Sequence, residues 1–196
     1  MATNSELVNV MKRYIDSPLG NRGQGRDRLR ELLKNESVDT RYELLMKVRG
    51  DEYSIWTGVH EAAVANDLES IRYMLHGFPS DKKYDVLKIH NCGGKTPLHP
   101  AAYGGHSSII TYLMTDLSQQ QKYDLLKIQN MWGDTALHDA ASNNRVEAYK
   151  VILASVPYHL LLELLNIKNS NRKSAADIRP ELNDEFPLSI AQGMIF

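Results

Sequence analysis

A chain of 196 residues, 42% of them apolar, can bury a core of about one domain's size. Its formal net charge of −1 excludes a polybasic nucleic-acid or membrane binder, since both need clustered Lys and Arg, and no apolar run approaches the ~20 residues that span a bilayer. The single Cys92 excludes an intrachain disulfide framework and, with no export pattern after Met1, implies a reducing, cytoplasmic setting.

In chain order, Ser5 to Ile15 reads as a helix with Leu7, Val10, Met11 and Tyr14 on one side. Ser17 to Gly25 reads as a turn or loop. Its glycines lack the Lys-Ser or Lys-Thr ending of a phosphate loop, and no strand precedes them. Arg26 to Lys34 is an amphipathic helix with Leu29, Leu32 and Leu33 inward. The nearby Arg22, Arg26, Arg28 and Arg30 read as a solvated helix face and linker. Residues 1–53 are thus expected to hold N-terminal helices and a degenerate capping repeat.

From residue 54 the chain repeats itself. Thr57-Gly58-Val59-His60, Thr96-Pro97-Leu98-His99, Thr135-Ala136-Leu137-His138 and Ser174-Ala175-Ala176-Asp177 start 39 residues apart. A period between about 20 and 50 residues signals stacked supersecondary units. The first helix of each copy carries an Ala pair, Ala62-Ala63, Ala101-Ala102 and Ala140-Ala141, small enough to let neighbouring helices approach closely. The second helix carries apolar residues on one face: Leu68, Ile71 and Leu75; Ile110 and Met114; Val146, Tyr149 and Leu153. Stepping back 39 residues from Leu68 and Ile71 reaches Leu29 and Leu32, which makes the Arg26–Lys34 helix the second helix of a degenerate first copy.

Thr96 and Thr135 fit as N-caps whose hydroxyls accept an orphan backbone N–H, and Pro97 fits the first helical position. Pro100 is expected to loosen or tilt its helix. This pattern resembles the ankyrin repeat, specifically over Gly94 to His106 and Gly133 to Ala141, and more weakly at Thr57 to Ala63 and Ser174 to Ile178. The resemblance implies an all-α, ankyrin-type solenoid of helix–turn–helix–finger units over residues 54–178, with protein binding as its usual activity.

Each copy is about six residues longer than the usual period of ~33. The additions repeat as well: Tyr84 to Ile89, Tyr123 to Ile128 and Leu162 to Ile167, with Tyr42-Glu43-Leu44-Leu45 as a less regular fourth. Each is predicted to be a short helical turn between second helix and finger, introduced by Ser80-Asp81 or Ser118-Gln119 and packed on the adjacent copy. Residues 179–196 form a tail punctuated by Pro180 and Pro187. Its apolar Leu188, Ile190, Met194, Ile195 and Phe196 either fold back as a cap over the last repeat or serve partner docking or weak self-association of an otherwise monomeric chain.

Several groups invite a chemical reading. His60, His99 and His138 occupy equivalent positions, but adjacent repeats hold them on the order of 10 Å apart, too far for one metal centre. The resemblance implies instead that this His bonds backbone across the inter-repeat turn. Cys92 and His90 lack a third orienting group, and Arg49-Gly50-Asp51 has no meaning without export. No catalytic residue, metal or cofactor is expected.

The finger tips carry the functional signal. After the repeated Asn91, Asn130 and Asn169 come Cys92-Gly93, Met131-Trp132 and Ser170-Asn171. Met131 and Trp132 at a turn tip suit a binding hot spot; otherwise Trp132 lies on the next finger in the slot matching Gly93. The concave face should carry Glu61, Val64 and Ala65, then Pro100, Tyr103 and Gly104, then Asp139, Ser142 and Asn143. Tyr103 flanked by Glu61 and Asp139 suits a basic or amide-rich segment. The expected function is non-catalytic protein binding through fingers and groove. Alternatives are a regulatory inhibitor or adaptor subunit, or an effector delivered into a host cell, and an enzyme fits least.

Overall fold

The computed structural model describes residues 8–12, 22–47 and 57–181. The tripeptide Arg49-Gly50-Asp51 and the apolar stretch from Leu188 to Phe196 lie outside the described residues. Every regular element among the described residues is helical. Residues 8–12 are helical (α1), followed by α2 (Arg22–Leu33) and α3 (Val38–Lys47). The first full repeat holds α4 (Gly58–Val64), α5 (Leu68–Leu75) and α6 (Ser80–Leu87). The second holds α7 (Leu98–Gly104), α8 (Ser107–Met114) and α9 (Gln119–Leu126). The third holds α10 (Ala136–Ser142), α11 (Val146–Ala154) and α12 (Tyr158–Asn166), and α13 (Ala175–Ile178) opens a fourth.

Three helical layers result. In the first, α4, α7, α10 and α13 lie side by side, and all six residues of the Ala pairs are fully buried between them. In the second, α2 packs on α5 and α8 on α11. Ile71, Met74, Ile109, Ile110, Leu113, Tyr149 and Ile152 are sealed there, each large side chain contributing about 1.5–3 kcal/mol on burial. Leu68 and Val146, expected in this core, are only half-buried. Leu29 and Leu33 of α2 are buried, whereas Leu32, expected inward with them, is half-buried. The helix begins at Arg22, however, so Arg22 to Gly25 are helical where a loop was expected. Gly23 and Gly25 hid that turn, because their poor propensity is overridden by the anchored helix behind them.

The added segments form the third layer. Each is a full helix of eight or nine residues, longer than the predicted turn. Val86, Leu87, Leu125, Leu126, Leu161 and Leu164 are buried. Neighbouring copies are tied by Tyr42 to Asp85 (3.4 Å), Ser80 to Gln121 (2.5 Å) and Tyr123 to Glu163 (2.5 Å). α3 belongs to this layer, with Leu44 and Leu45 buried like Val86 and Leu87.

The third layer also closes helix ends. Arg41 of α3 reaches the C-terminus of α5, donating to the carbonyls of Tyr73 (2.9 Å) and His76 (2.7 Å). Lys83 of α6 does the same for α8, donating to Tyr112 and Thr115, each at 2.7 Å. Both satisfy carbonyls that a helix leaves orphaned, where the macrodipole favours a cation. The series stops at the third repeat. Gly77 and Asp116 turn the chain with φ of 72° and 64°, but Ser155 stays right-handed at φ −82°, and α11 runs one residue longer. Lys122 lines the groove beside Val151 and Ala154 without a hydrogen bond to either.

Pro100 leaves α7 at seven residues, the same length as α4 and α10. The loosening is confined to the first turn, where the Ala101 N–H reaches the Pro97 carbonyl at 3.4 Å. Pro97 itself has helical angles, φ −56° and ψ −22°. α13 stops at Ile178, two residues before Pro180, which biases its predecessor Arg179 away from helix.

Candidate partner-binding site

Each finger is one turn built three times. The Asn91 Oδ1 accepts the N–H groups of Gly93 and Lys95, both at 2.9 Å. Asn130 does the same for Trp132 and Asp134, and Asn169 for Asn171 and Lys173. The fourth residue of each turn is left-handed: Gly94 (φ 74°), Gly133 (φ 75°) and Arg172 (φ 59°). Adjacent fingers are joined by one backbone bond each, Met131 N–H to Gly93 (2.8 Å) and Ser170 N–H to Trp132 (3.0 Å). They stack so closely that a β-carbon on Gly133 would lie 2.7 Å from the Ser170 nitrogen.

The buried histidines fix each finger to the helix before it. His60 Nε2 lies 2.9 Å from the Lys95 carbonyl, His99 Nε2 3.2 Å from that of Asp134, and His138 Nε2 3.1 Å from that of Lys173. A carbonyl only accepts, so Nε2 carries the proton and Nδ1 is an acceptor. It takes the hydroxyl of Thr57, Thr96 or Thr135 at 2.8–3.0 Å, and the same residue's backbone N–H. The threonines therefore serve the imidazole first. Thr57 also accepts the His60 N–H at 3.4 Å, and Thr135 forms the same reciprocal capping box with His138, as an N-cap should. Burial holds His60 and His99 at about 4, well below the ordinary histidine value. Among the described residues no three His, Cys, Asp or Glu converge as a metal set.

The finger tips and the first-helix face meet at Lys95. Its ammonium lies 5.3 Å from the Trp132 ring centre and 5.8 Å from that of Tyr103. Met131 is 66% exposed, and Trp132 and Tyr103 are 53% exposed. Val64, in the position equivalent to Tyr103, is also exposed. Trp132 thus lies over Lys95, and it is the Met131 sulfur that stands beside Gly93. Cys92 is exposed on the preceding finger, while His90 turns its Nδ1 to the Asn91 carbonyl at 3.3 Å.

Two buried polar atoms around Lys95 lack partners. The Asn169 amide donates to Asp134 Oδ1 on the finger before it, at 2.8 Å. One repeat earlier the same position is Lys95, which cannot accept, and the Asn130 Nδ2 is orphaned. Asp139 was expected on the open groove, but it is only 8% exposed and its Oδ2 has no partner. Burial raises its carboxyl to about 7, with the Lys95 charge opposing the rise and Asp134 adding to it. Asn143 is half-buried and donates to the Asp139 carbonyl (2.8 Å); Glu61 is half-buried on α4. Lys95 is the residue sequence reasoning missed. Its signal was the alternation Lys95, Asp134, Lys173 at one finger position.

Residues 59–162 match a family model for ankyrin repeats in three copies. That is more than half of the chain, and the chain belongs to the ankyrin repeat family. No curated protein is significantly similar to it. Ankyrin repeats generally mediate protein–protein interaction, and the family is typically non-catalytic. Among the described residues no helix is long and apolar enough to cross a membrane.

Proposed function

We propose that this protein binds a protein partner through the surface formed by Tyr103, Met131 and Trp132 around Lys95, continuing along the first-helix face past Val64. The observation that carries the reading is the conjunction at Lys95. Three large apolar side chains stand exposed together, and two buried polar atoms beside them are unsatisfied. Exposed Trp and Tyr with Met are the residues a binding hot spot uses, and unmet hydrogen bonds beside them are the usual mark of a functional site. A rigid stack loses little entropy on association, so acting as an adaptor or inhibitory subunit needs no more than this surface. The proposed setting is a reducing compartment, in keeping with the lone exposed Cys92.

The test is affinity capture from lysate with wild type beside Trp132→Ala and Tyr103→Ala, each with unchanged helical circular dichroism. A partner kept by wild type and lost by either folded variant is the expected outcome. Partners kept equally by all three would remove the interface from this face.

A further inference from the structure

The opposite side of the stack carries a second opening. Between α2, α3, α5 and α8 lies a cleft of about 640 Å³, walled by Leu33, Lys34, Arg41, Arg72, Tyr73 and Tyr112. Its floor holds Arg41, only 7% exposed, whose charge is met by backbone carbonyls of α5 and whose Nε has no partner. At the mouth, the Arg72 guanidinium lies 5.8 Å from the Tyr112 ring centre and reaches no carboxylate among the described residues. The Lys83 ammonium sits 4.8 Å from the same ring, again bonded to carbonyls alone. The one acid on the wall, Glu69, is already held by Arg30 at 2.7 Å.

In a chain of net charge −1, Arg41 and Arg72 thus meet no carboxylate in a pocket of ligand size, while Lys34 on the wall is paired with Glu31 at 2.7 Å and Lys83 stands behind the Tyr112 ring. Arg forks match carboxylate oxygens in pairs, and the Tyr73, Tyr112 and Leu33 walls offer apolar contact to a neighbouring side chain. We propose that this cleft docks an acidic peptide segment of a partner, its carboxylate taken by the exposed Arg72 with the buried Arg41 charge behind it, and an adjacent apolar side chain placed against the tyrosines. A free inorganic anion would leave those walls unused. None of these residues belongs to the surface around Lys95, so the cleft stands or falls separately from it.

The experiment is fluorescence anisotropy of the full chain with a labelled Glu-Glu-Phe-Glu-Glu-Leu peptide at low and high salt. Saturable binding that weakens with salt is expected, with an affinity loss of about tenfold or more in Arg72→Glu. The Gln-Gln-Phe-Gln-Gln-Leu analogue should not bind, and Trp132→Ala should bind as wild type does. Arg72 is exposed, so its variant should keep the helical spectrum. Absence of saturable binding would overturn the proposal, as would equal binding of the uncharged analogue or an unaltered Arg72→Glu. Loss in Trp132→Ala would place the peptide on the other face and overturn it equally.

Discussion

Protonating His60 or His99 would put a charge in a site that excludes water and turn an acceptor on two Thr donors into a third donor. Their folded values of about 4 lie below the ordinary 6.5, so an unfolded chain takes up protons that the folded one refuses. Their contribution is complete above pH 6.5 and is lost as pH falls toward 4, about 3 kcal/mol at most for each ring. Asp139 runs the other way. Its folded value, about 7, exceeds the ordinary 3.8, so its favourable contribution exists at low pH and disappears as pH rises through 7. Two rings outweigh one carboxylate, and urea midpoints measured stepwise from pH 7 to 4 should fall. A flat profile would mean that the rings accept protons where they stand. Asp139→Asn should raise stability at pH 8 by about 1–3 kcal/mol, with the difference gone near pH 4, and should weaken partner capture. The histidine role was legible from Thr-Pro-Leu-His. Lys95 was not, because a lysine in a turn reads as solvated until two rings are seen around it.

The finger glycines and the helix-end cations act at the scale of elements. Gly133→Ala should cost about 2 kcal/mol or more, because a left-handed backbone and a contact with Ser170 both oppose a β-carbon. Arg172 has the same left-handed turn, so Arg172→Gly should gain up to about 1 kcal/mol; chemical denaturation of both variants distinguishes backbone strain from stacking. Lys83→Met should cost about 2 kcal/mol by orphaning two carbonyls, measured the same way. A gain instead would show that desolvating the ammonium, already lowered to about 8, outweighs the cap. The third-layer helices were visible in sequence as a recurring Tyr-Asp-Leu-Leu pattern, but only their apolar half registered. The cations were invisible, since Lys83 occupies a helix position that ordinarily faces water. Nothing in periodicity shows that the next repeat's helix end lies above it.

Across the whole molecule, stability is a chain of nearest-neighbour couplings, so an interface lacking one of its ties should open first. Arg41 couples α3 to the first full repeat, and Lys83 the first to the second, but Lys122 makes no matching bond to α11. Amide hydrogen exchange should therefore be faster in α11 and α12 than in α5 and α8. Equal protection would mean that the apolar layers alone set cooperativity. The order of the stack was legible from the 39-residue period, whereas its unequal seams depend on a single turn, at Ser155, that repeats neither Gly77 nor Asp116.

The close approach of one finger to the next also sets how long such a tower can grow. Gly94 and Gly133 each leave a seat for the finger that follows, while Arg172 fills that seat with its own β-carbon. A further finger arriving in the same register would find the place taken. Grafting another unit after the third finger in that register would therefore first require clearing Arg172 to glycine.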